Sequence, residues 1–132
     1  MEIKMKKHLT LAIVTAAFMV SAVPVMADSV DEVALCTLKE GATTDQAQTA
    51  NSTWLAWVNA NGGNGKISSS VGTAIVGDSK AFLWIDSYPD LVSWTTVSNA
   101  TDSKAGKAAL KDLFKDIVDC KQNRLWKIES TK

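Results

Sequence analysis

The sequence predicts an α+β fold in which one antiparallel sheet carries its helices on a single face. Two observations support this prediction. Segments with strand and helix patterns follow one another in the order β-α-β-β-α-β, and no repeat or linker interrupts them. This order is that of the split βαβ arrangement, a four-stranded antiparallel sheet with both helices on one face. We expect a single domain over residues 28–132, whose 105 residues are enough for one core.

Residues 1–27 have the three parts of an export signal. Lys4, Lys6 and Lys7 form a basic start. Residues 9–20 form an uncharged apolar run, and residues 25–27 offer the small side chains of a cleavage site. The apolar run is too short to span a bilayer, so we expect a cleaved signal peptide rather than a membrane anchor. The mature chain should begin near Asp28 and be periplasmic or secreted.

The first strand is predicted over Val33–Leu38, and the helix after it is expected to begin at Thr43 or Thr44, either of which can cap its first turn. That helix should continue to about Ala60, where the glycine-rich stretch 61–65 ends it. Its apolar positions recur at helical spacing. They are Ala47, Ala50, Trp54, Trp57 and Val58.

The middle of the chain predicts a hairpin. Ile67–Val76 alternates as a strand, Gly77-Asp78 suits a turn, and residues 81–86 form an apolar strand. On this third strand the side chains alternate between two faces. Phe82, Trp84 and Asp86 point one way, whereas Leu83 and Ile85 point the other.

The last third predicts a broken helical segment and a final strand. Pro89 suits the first position of a helix that runs to about Ser98, and Ser103 can cap a second helical piece after the polar break at 99–102. The apolar stripe of that second piece comprises Ala109, Leu110, Leu113, Phe114 and Ile117. Asn123–Glu129 is predicted as the last strand.

The chain has two cysteines, Cys36 and Cys120. Because the number is even and the chain has an export signal, we expect a structural disulfide between them. The first and last strands are antiparallel neighbours in the predicted topology, which would let the two cysteines approach each other. The alternatives are a redox pair or a metal pair. A redox pair usually has Cys-x-x-Cys spacing, which this sequence lacks.

Composition excludes several function classes. Without the signal the chain has 11 basic and 13 acidic side chains, and Arg124 is its only arginine, which argues against nucleic acid and anionic lipid as partners. The single histidine, His8, leaves with the signal, which excludes Ser-His-Asp and Cys-His catalysis. Metal sites would rest on carboxylates and two cysteines, so we expect none. An enzyme on this chain would use carboxylates, Tyr88, lysines or an external cofactor.

A single layer of helices leaves one sheet face uncovered. We expect Leu83 and Ile85 to pack against the helices, and Phe82, Trp84 and Trp126 to lie on the uncovered face. A large exposed apolar patch usually marks an interface or a ligand site. We therefore expect a hydrophobic pocket on that face, with burial of the patch in a homodimer.

The element order, the aromatic third strand and the run from Trp84 through Tyr88 to Asp90, followed by Trp94 and a broken second helix, resemble the dimeric α+β barrel superfamily. This superfamily has a ferredoxin-like fold and includes the antibiotic-biosynthesis-monooxygenase type. The resemblance implies sheet-to-sheet dimers that enclose pockets for hydrophobic substrates, and oxygenase chemistry without a bound cofactor. It does not carry over haem degradation, because residues 95–97 stand where the haem-degrading members have a helix histidine.

The candidate ligand-binding residues are Phe82, Trp84, Asp86, Tyr88 and Trp126. Trp84 could form either a pocket floor or the core of a dimer. In an apolar pocket Asp86 would have a raised pKa and could act as an acid or base; otherwise it is a solvated carboxylate at the end of a strand. Tyr88 could bind a substrate oxygen or pack on Pro89.

Three functions fit these residues. The first is an exported domain that binds a small hydrophobic molecule. The second is a cofactor-independent monooxygenase or isomerase with Asp86 and Tyr88 as catalytic candidates. The third is a structural or interaction domain whose aromatic face is covered by a partner. The sequence does not identify the ligand.

Overall fold

A computed structural model of the chain describes residues 28–129. The predicted signal peptide, residues 1–27, lies outside the described residues. The order of elements agrees with the prediction. The elements are β1 (Ser29–Leu38), α1 (Thr44–Val58), β2 (Ser68–Thr73), β3 (Ala81–Tyr88), α2 (Leu91–Asp102), α3 (Lys104–Ala109) and β4 (Val118–Ile128).

The four strands form one sheet in the order β2-β3-β1-β4, and every neighbouring pair is antiparallel. This confirms the predicted α+β, ferredoxin-like topology. Cys36 and Cys120 are register partners on β1 and β4, and a disulfide joins them. The predicted disulfide is therefore present, and it links the first strand to the last.

The first helix begins as its sequence predicts. Thr43 accepts a hydrogen bond from the backbone N–H of Gln46, whose side chain in turn accepts one from the Thr43 backbone, which is a capping box. After α1 the helical turn widens over Asn59–Gly63. The Asn59 side chain then bonds both the N–H and the C=O of Ile67, at 3.0 Å and 2.9 Å, and so holds the start of the hairpin against the helix end.

Several boundaries differ from the prediction. β2 ends at Thr73 rather than Val76, and the apolar pair Ile75 and Val76 is almost fully exposed in the turn. α2 is longer than predicted and begins at Leu91 rather than at Pro89. Asp90 caps it by accepting a hydrogen bond from the backbone N–H of Ser93. α3 ends at Ala109, residues 110–117 form turns, and β4 starts five residues early.

The predicted assignment of the two sheet faces is wrong. Phe82, Trp84 and Tyr88 lie under the helices and are each at most 6% exposed, whereas Leu83 lies on the uncovered face and is 37% exposed. Ile85 shares that uncovered face, because side chains alternate along β3. Ala47 of α1 is buried in one cluster with Phe82 and Trp84, so a small helix side chain leaves room there for the large rings of the sheet.

The sequence predicted that Trp126 and Trp84 lie on the same face of the sheet. They lie on opposite faces. Trp126 lies opposite Asp31 in the β1–β4 register, whereas Trp84 lies opposite Ala34, so the two indoles are on different sides of the sheet. Trp126 is 49% exposed. The uncovered face is therefore apolar and carries Trp126, as predicted, but it does not carry Phe82 or Trp84. We call it the open face, and its apolar side chains are Val33, Leu35, Leu83, Ile85, Trp126 and Ile128.

Within residues 28–129, no helix has the length and apolar character needed to cross a membrane. The same part of the chain contains no cluster of three or more His, Cys, Asp or Glu side chains arranged to hold a metal ion.

Candidate functional site

A cavity of about 340 Å³ lies between the sheet and the helices, and we call it the Trp84 cavity. The predicted pocket was placed on the other side of the sheet, which is incorrect because the rings meant to line it face the helices. A separate depression of about 270 Å³ lies near Leu35 and Leu83 on the open face. The lining of the Trp84 cavity comprises Glu32, Ala34, Asn51, Trp54, Trp84, Asp86, Tyr88, Trp94, Val97, Ser98, Thr101, Phe114, Val118, Cys120 and Asn123.

Trp84 is held by aromatic packing on two sides. Its ring makes edge-to-face contacts with Phe82 and Phe114, with ring centroids 5.1 Å and 5.0 Å apart. Its indole Nε1 is buried and has no hydrogen-bond partner among the described residues. A buried donor without an acceptor costs free energy, so the wall of the cavity contains one unsatisfied polar group.

Glu32 accepts three hydrogen bonds at one end of the cavity. The donors are the Trp94 indole N–H at 3.0 Å, the Asn123 side-chain amide at 2.5 Å and the Tyr88 hydroxyl at 3.4 Å. They come from α2, β4 and β3, so this one carboxylate on β1 connects three other elements. All three donors are neutral, and none supplies a positive charge.

Asp86 lies directly opposite Glu32 in the β1–β3 register. Its carboxylate accepts a hydrogen bond from the Ser69 hydroxyl on β2, and Ser69 in turn accepts one from the Asn51 amide on α1 at 2.8 Å. Burial raises the pKa of Asp86 from 3.8 to about 6; the Ser69 hydrogen bond opposes this shift and the nearby Glu32 charge adds to it. A carboxyl with a pKa near neutrality can take up or release a proton under ordinary conditions.

Burial, followed by the charges of Glu32 and Asp86, raises the pKa of the Tyr88 hydroxyl above its ordinary range. Tyr88 therefore keeps its proton near neutral pH. It serves as a hydrogen-bond donor to Glu32 rather than as a base.

No basic residue balances these two carboxyl groups. The cavity lining contains no lysine, arginine or histidine, and within residues 28–129 no salt bridge reaches Glu32 or Asp86. Arg124 lies opposite Val33 and so belongs to the open face. The site is thus an acidic cavity with aromatic walls.

Three of the five predicted ligand-binding residues meet in this cavity, namely Trp84, Asp86 and Tyr88. Phe82 lies behind Trp84 and does not reach the cavity lining, and Trp126 is on the opposite face.

Sequence analysis did not identify Glu32, Trp94 and Asn123 as parts of the site. The signal for Glu32 was its position: it alternates with Val30 and Ala34, and is thus a charged residue among core positions of one strand. Trp94 was noted only as one of the residues that carry the resemblance to the dimeric α+β barrel superfamily, and not as a site residue. Asn123 lies after a register shift in the β1–β4 pair. The shift interrupts the alternation of side chains along β4, so the sequence alone did not show which sheet face Asn123 is on.

No protein-family model matches the chain, and no curated protein matches its sequence. The fold is nevertheless similar to that of solved structures. The cofactor-independent oxygenase SnoaB from Streptomyces nogalater matches with a TM-score of 0.55 and 11% identity, covering 80% of this chain and 97% of that one. Hydroxynitrile lyase from Passiflora edulis matches with a TM-score of 0.53 and 12% identity, covering 80% and 97%.

A third match is a dimeric ferredoxin-like protein of unknown function from Thermobifida fusca, with a TM-score of 0.50, 11% identity and coverage of 77% and 92%. The chain shares the ferredoxin-like α+β fold of these structures. The fold that the sequence resemblance implied is thus confirmed. At these identities the likeness concerns the fold alone, and the activity must be inferred from the residues of this chain.

Proposed function

We propose that the chain binds a small hydrophobic molecule in the Trp84 cavity. The observation that carries this proposal is the combination of a cavity of about 340 Å³ with aromatic walls and a few convergent polar groups. Small-molecule sites commonly have volumes from roughly 300 to 1,000 Å³ and this kind of lining. The cavity is at the small end of that range, which favours a ligand no larger than one or two rings.

The walls of the cavity have different roles. Trp54 and Trp94 are only partly buried and come from the helices, so they retain surface that a ligand can cover. Trp84 packs deeper, at the sheet. Glu32 and Asp86 supply the polar contacts that would orient the ligand.

A cavity-filling substitution tests this proposal. Ser98 lies on α2 in the lining, so Ser98→Leu should fill the space and weaken binding of phenethyl alcohol, a small aromatic probe, at least tenfold. Thr95→Leu is the matched control, because Thr95 is on the same helix but exposed. Binding can be followed by tryptophan fluorescence. Equal probe binding by wild type and Ser98→Leu would contradict the proposal and favour a purely structural role.

A second candidate function is acid–base catalysis without a cofactor in the same cavity. The observation that favours it is the pKa of Asp86, about 6, in contact with the cavity. Two proteins of similar fold are an oxygenase and a lyase, which is consistent with such chemistry on this scaffold. Asp86 would remove or return a proton, and Tyr88 would remain protonated.

Proton exchange tests the catalytic candidate. With phenylacetone in deuterium oxide, the wild type should accelerate exchange of the protons next to the carbonyl, with a rate that rises around pH 6 as Asp86 ionises. Asp86→Asn should remove the acceleration. If the two proteins give equal rates, Asp86 is not a base for this class of carbon acid.

We also propose that two copies associate through their open faces. Leu35, Leu83 and Trp126 are between 37% and 49% exposed on one continuous sheet surface, and exposed apolar surface of this kind usually marks an interface. A protein of similar fold is described as dimeric. Phe82 and Trp84, which were expected to drive association, are already covered by the chain's own helices.

Export of the mature domain, residues 28–132, is the last part of the proposal. It rests on the signal-like pattern of residues 1–27 and on the Cys36–Cys120 disulfide, because disulfides persist mainly in oxidising compartments.

A further inference from the structure

We propose that the ligand of the Trp84 cavity is an organic ammonium ion, an amine that carries a positive charge on an apolar or aromatic body. The inference rests on the proposed binding function and specifies its chemistry. It follows from two carboxyl groups that share one cavity, from the aromatic rings around them, and from the absence of a basic side chain in the lining.

The first argument concerns charge. Glu32 and Asp86 are direct cross-strand partners, and like charges in that arrangement repel each other. Their hydrogen-bond donors are the neutral groups of Ser69, Tyr88, Trp94 and Asn123. Buried charges are normally paired with an opposite charge. Here the part of the chain that the structure describes supplies none, so a bound cation would complete the site.

The second argument concerns the walls. Trp54, Trp84 and Trp94 all line the cavity, and indole faces are the aromatic surfaces that attract cations most strongly. A neutral apolar ligand would also favour these walls. It would, however, bury both carboxyl groups further without compensating their charge, which an ammonium group avoids.

The third argument concerns Trp84 itself. Its indole N–H has no hydrogen-bond partner among residues 28–129, although Trp84 is only 6% exposed at the cavity wall. A hydroxyl or carbonyl oxygen on the ligand could accept this bond after a small shift of the ring. An anionic ligand could also accept it, but would lie beside two carboxyl groups. The combination therefore favours an amine over an acid.

The experiment uses three probes of one shape, namely phenethylamine, phenethyl alcohol and phenylacetate, which differ in charge. At pH 7.5 phenethylamine should bind the wild type at least tenfold more tightly than phenethyl alcohol, and phenylacetate should bind most weakly. Glu32→Gln and Asp86→Asn should each reduce the preference for the amine severalfold. Asp31→Asn is the control, because it removes the same charge one residue away on the open face.

A second measurement uses only the wild type and thus does not depend on the folding of variants. The titratable groups of the lining are Glu32, Asp86 and Tyr88, and burial raises the pKa of Asp86 to about 6. At pH 6 a bound ammonium ion should lower that pKa and release protons, whereas phenethyl alcohol should exclude water, raise it and take protons up. Calorimetry in two buffers of different ionisation enthalpy separates the two signs.

The outcomes distinguish this inference from the proposed function. If phenethyl alcohol binds in a way that Ser98→Leu blocks, but phenethylamine binds no better and releases no protons, the cation inference is overturned while the binding function stands. If none of the three probes binds, both are overturned. Tight amine binding that survives both Glu32→Gln and Asp86→Asn would also overturn the inference.

Discussion

Glu32 and Asp86 face each other across the β1–β3 pair, under the helices, with no positive charge beside them in the described chain. The three neutral donors around Glu32 and the Ser69–Asn51 chain at Asp86 satisfy hydrogen bonds without balancing charge. Burial is the main reason that the pKa of Asp86 is raised to about 6, and the neighbouring charge of Glu32 adds to the shift.

The free energy of unfolding should fall as pH rises through 6. Asp86 has a pKa of about 6 in the folded chain against an ordinary value of 3.8, so the folded state holds its proton more tightly. The contribution is fully present below about pH 4 and is lost as pH rises from there through 6, with a total of about 3 kcal/mol. Urea unfolding between pH 4 and 8 measures it.

Asp86→Asn should remove most of this pH dependence and increase stability at pH 8, since the amide carries no charge and retains an oxygen for Ser69. Asp31→Asn, on the open face, should leave the slope in place. A variant Asp86→Asn with the same pH slope as wild type would mean that another group causes it.

The open face should hold two copies together in solution. Leu83 is 37% exposed near the centre of that face, and a charge there would be buried against its own copy in a sheet-to-sheet dimer. We expect Leu83→Glu to be a monomer at concentrations where the wild type is a dimer. Native mass spectrometry and sedimentation equilibrium report the two states.

Leu91→Glu is the matched control, because Leu91 is 53% exposed at the start of α2, away from the open face. It should remain dimeric. A wild type that is monomeric at high concentration, or a Leu83→Glu variant that stays dimeric, would rule out this interface.

The fold was predictable because it depends on patterns that a sequence carries directly. The capping residue Thr43, the glycine-rich stop at 61–65 and the alternation along β3 each mark an element or its end. Which face of the sheet is covered was not predictable in this way. Both faces of β3 are apolar, so alternation separates Trp84 from Leu83 without saying which one meets the helices.

The missing information was in the helices. The buried positions of α1 include Ala47 and Ala50, and Ala47 packs in one cluster with Phe82 and Trp84. A small helix residue leaves room for a large partner on the sheet, which favours Phe82 and Trp84 on the covered side. Trp126 lies on the uncovered face, as predicted, and the error was to place Phe82 and Trp84 on that face with it.

The disulfide should contribute about 4 kcal/mol to the free energy of unfolding, because Cys36 and Cys120 are 84 residues apart and the bond restricts the unfolded chain. Cys120→Ala should lose about this amount while keeping the buried Cys36 in place. Urea unfolding of wild type with reductant should match the variant. If reductant leaves the wild-type midpoint unchanged, the bond does not stabilise the fold.

The exported protein should begin at or within a residue or two of Asp28, since residues 25–27 offer the small side chains that a signal peptidase requires. Intact-mass analysis of protein from the extracytoplasmic fraction of its host tests this. Replacing Ala27 with Lys should block processing. Protein that retains Met1 after export would contradict the signal-peptide assignment.

Trp84→Ala should destabilise the fold by about 3–5 kcal/mol, the usual cost of truncating a large buried ring. Trp84 is 6% exposed and packs edge-to-face on Phe82 and Phe114, so truncation would enlarge the cavity at the sheet.

Trp126→Ala is the control, because that ring is 49% exposed on the open face. Both should be measured in the Leu83→Glu background, so that association does not contribute to stability. We expect the Trp126 variant to lose less than about 1 kcal/mol. Equal losses for the two variants would mean that Trp84 does not support the core, and that the cavity floor is more adaptable than its packing indicates.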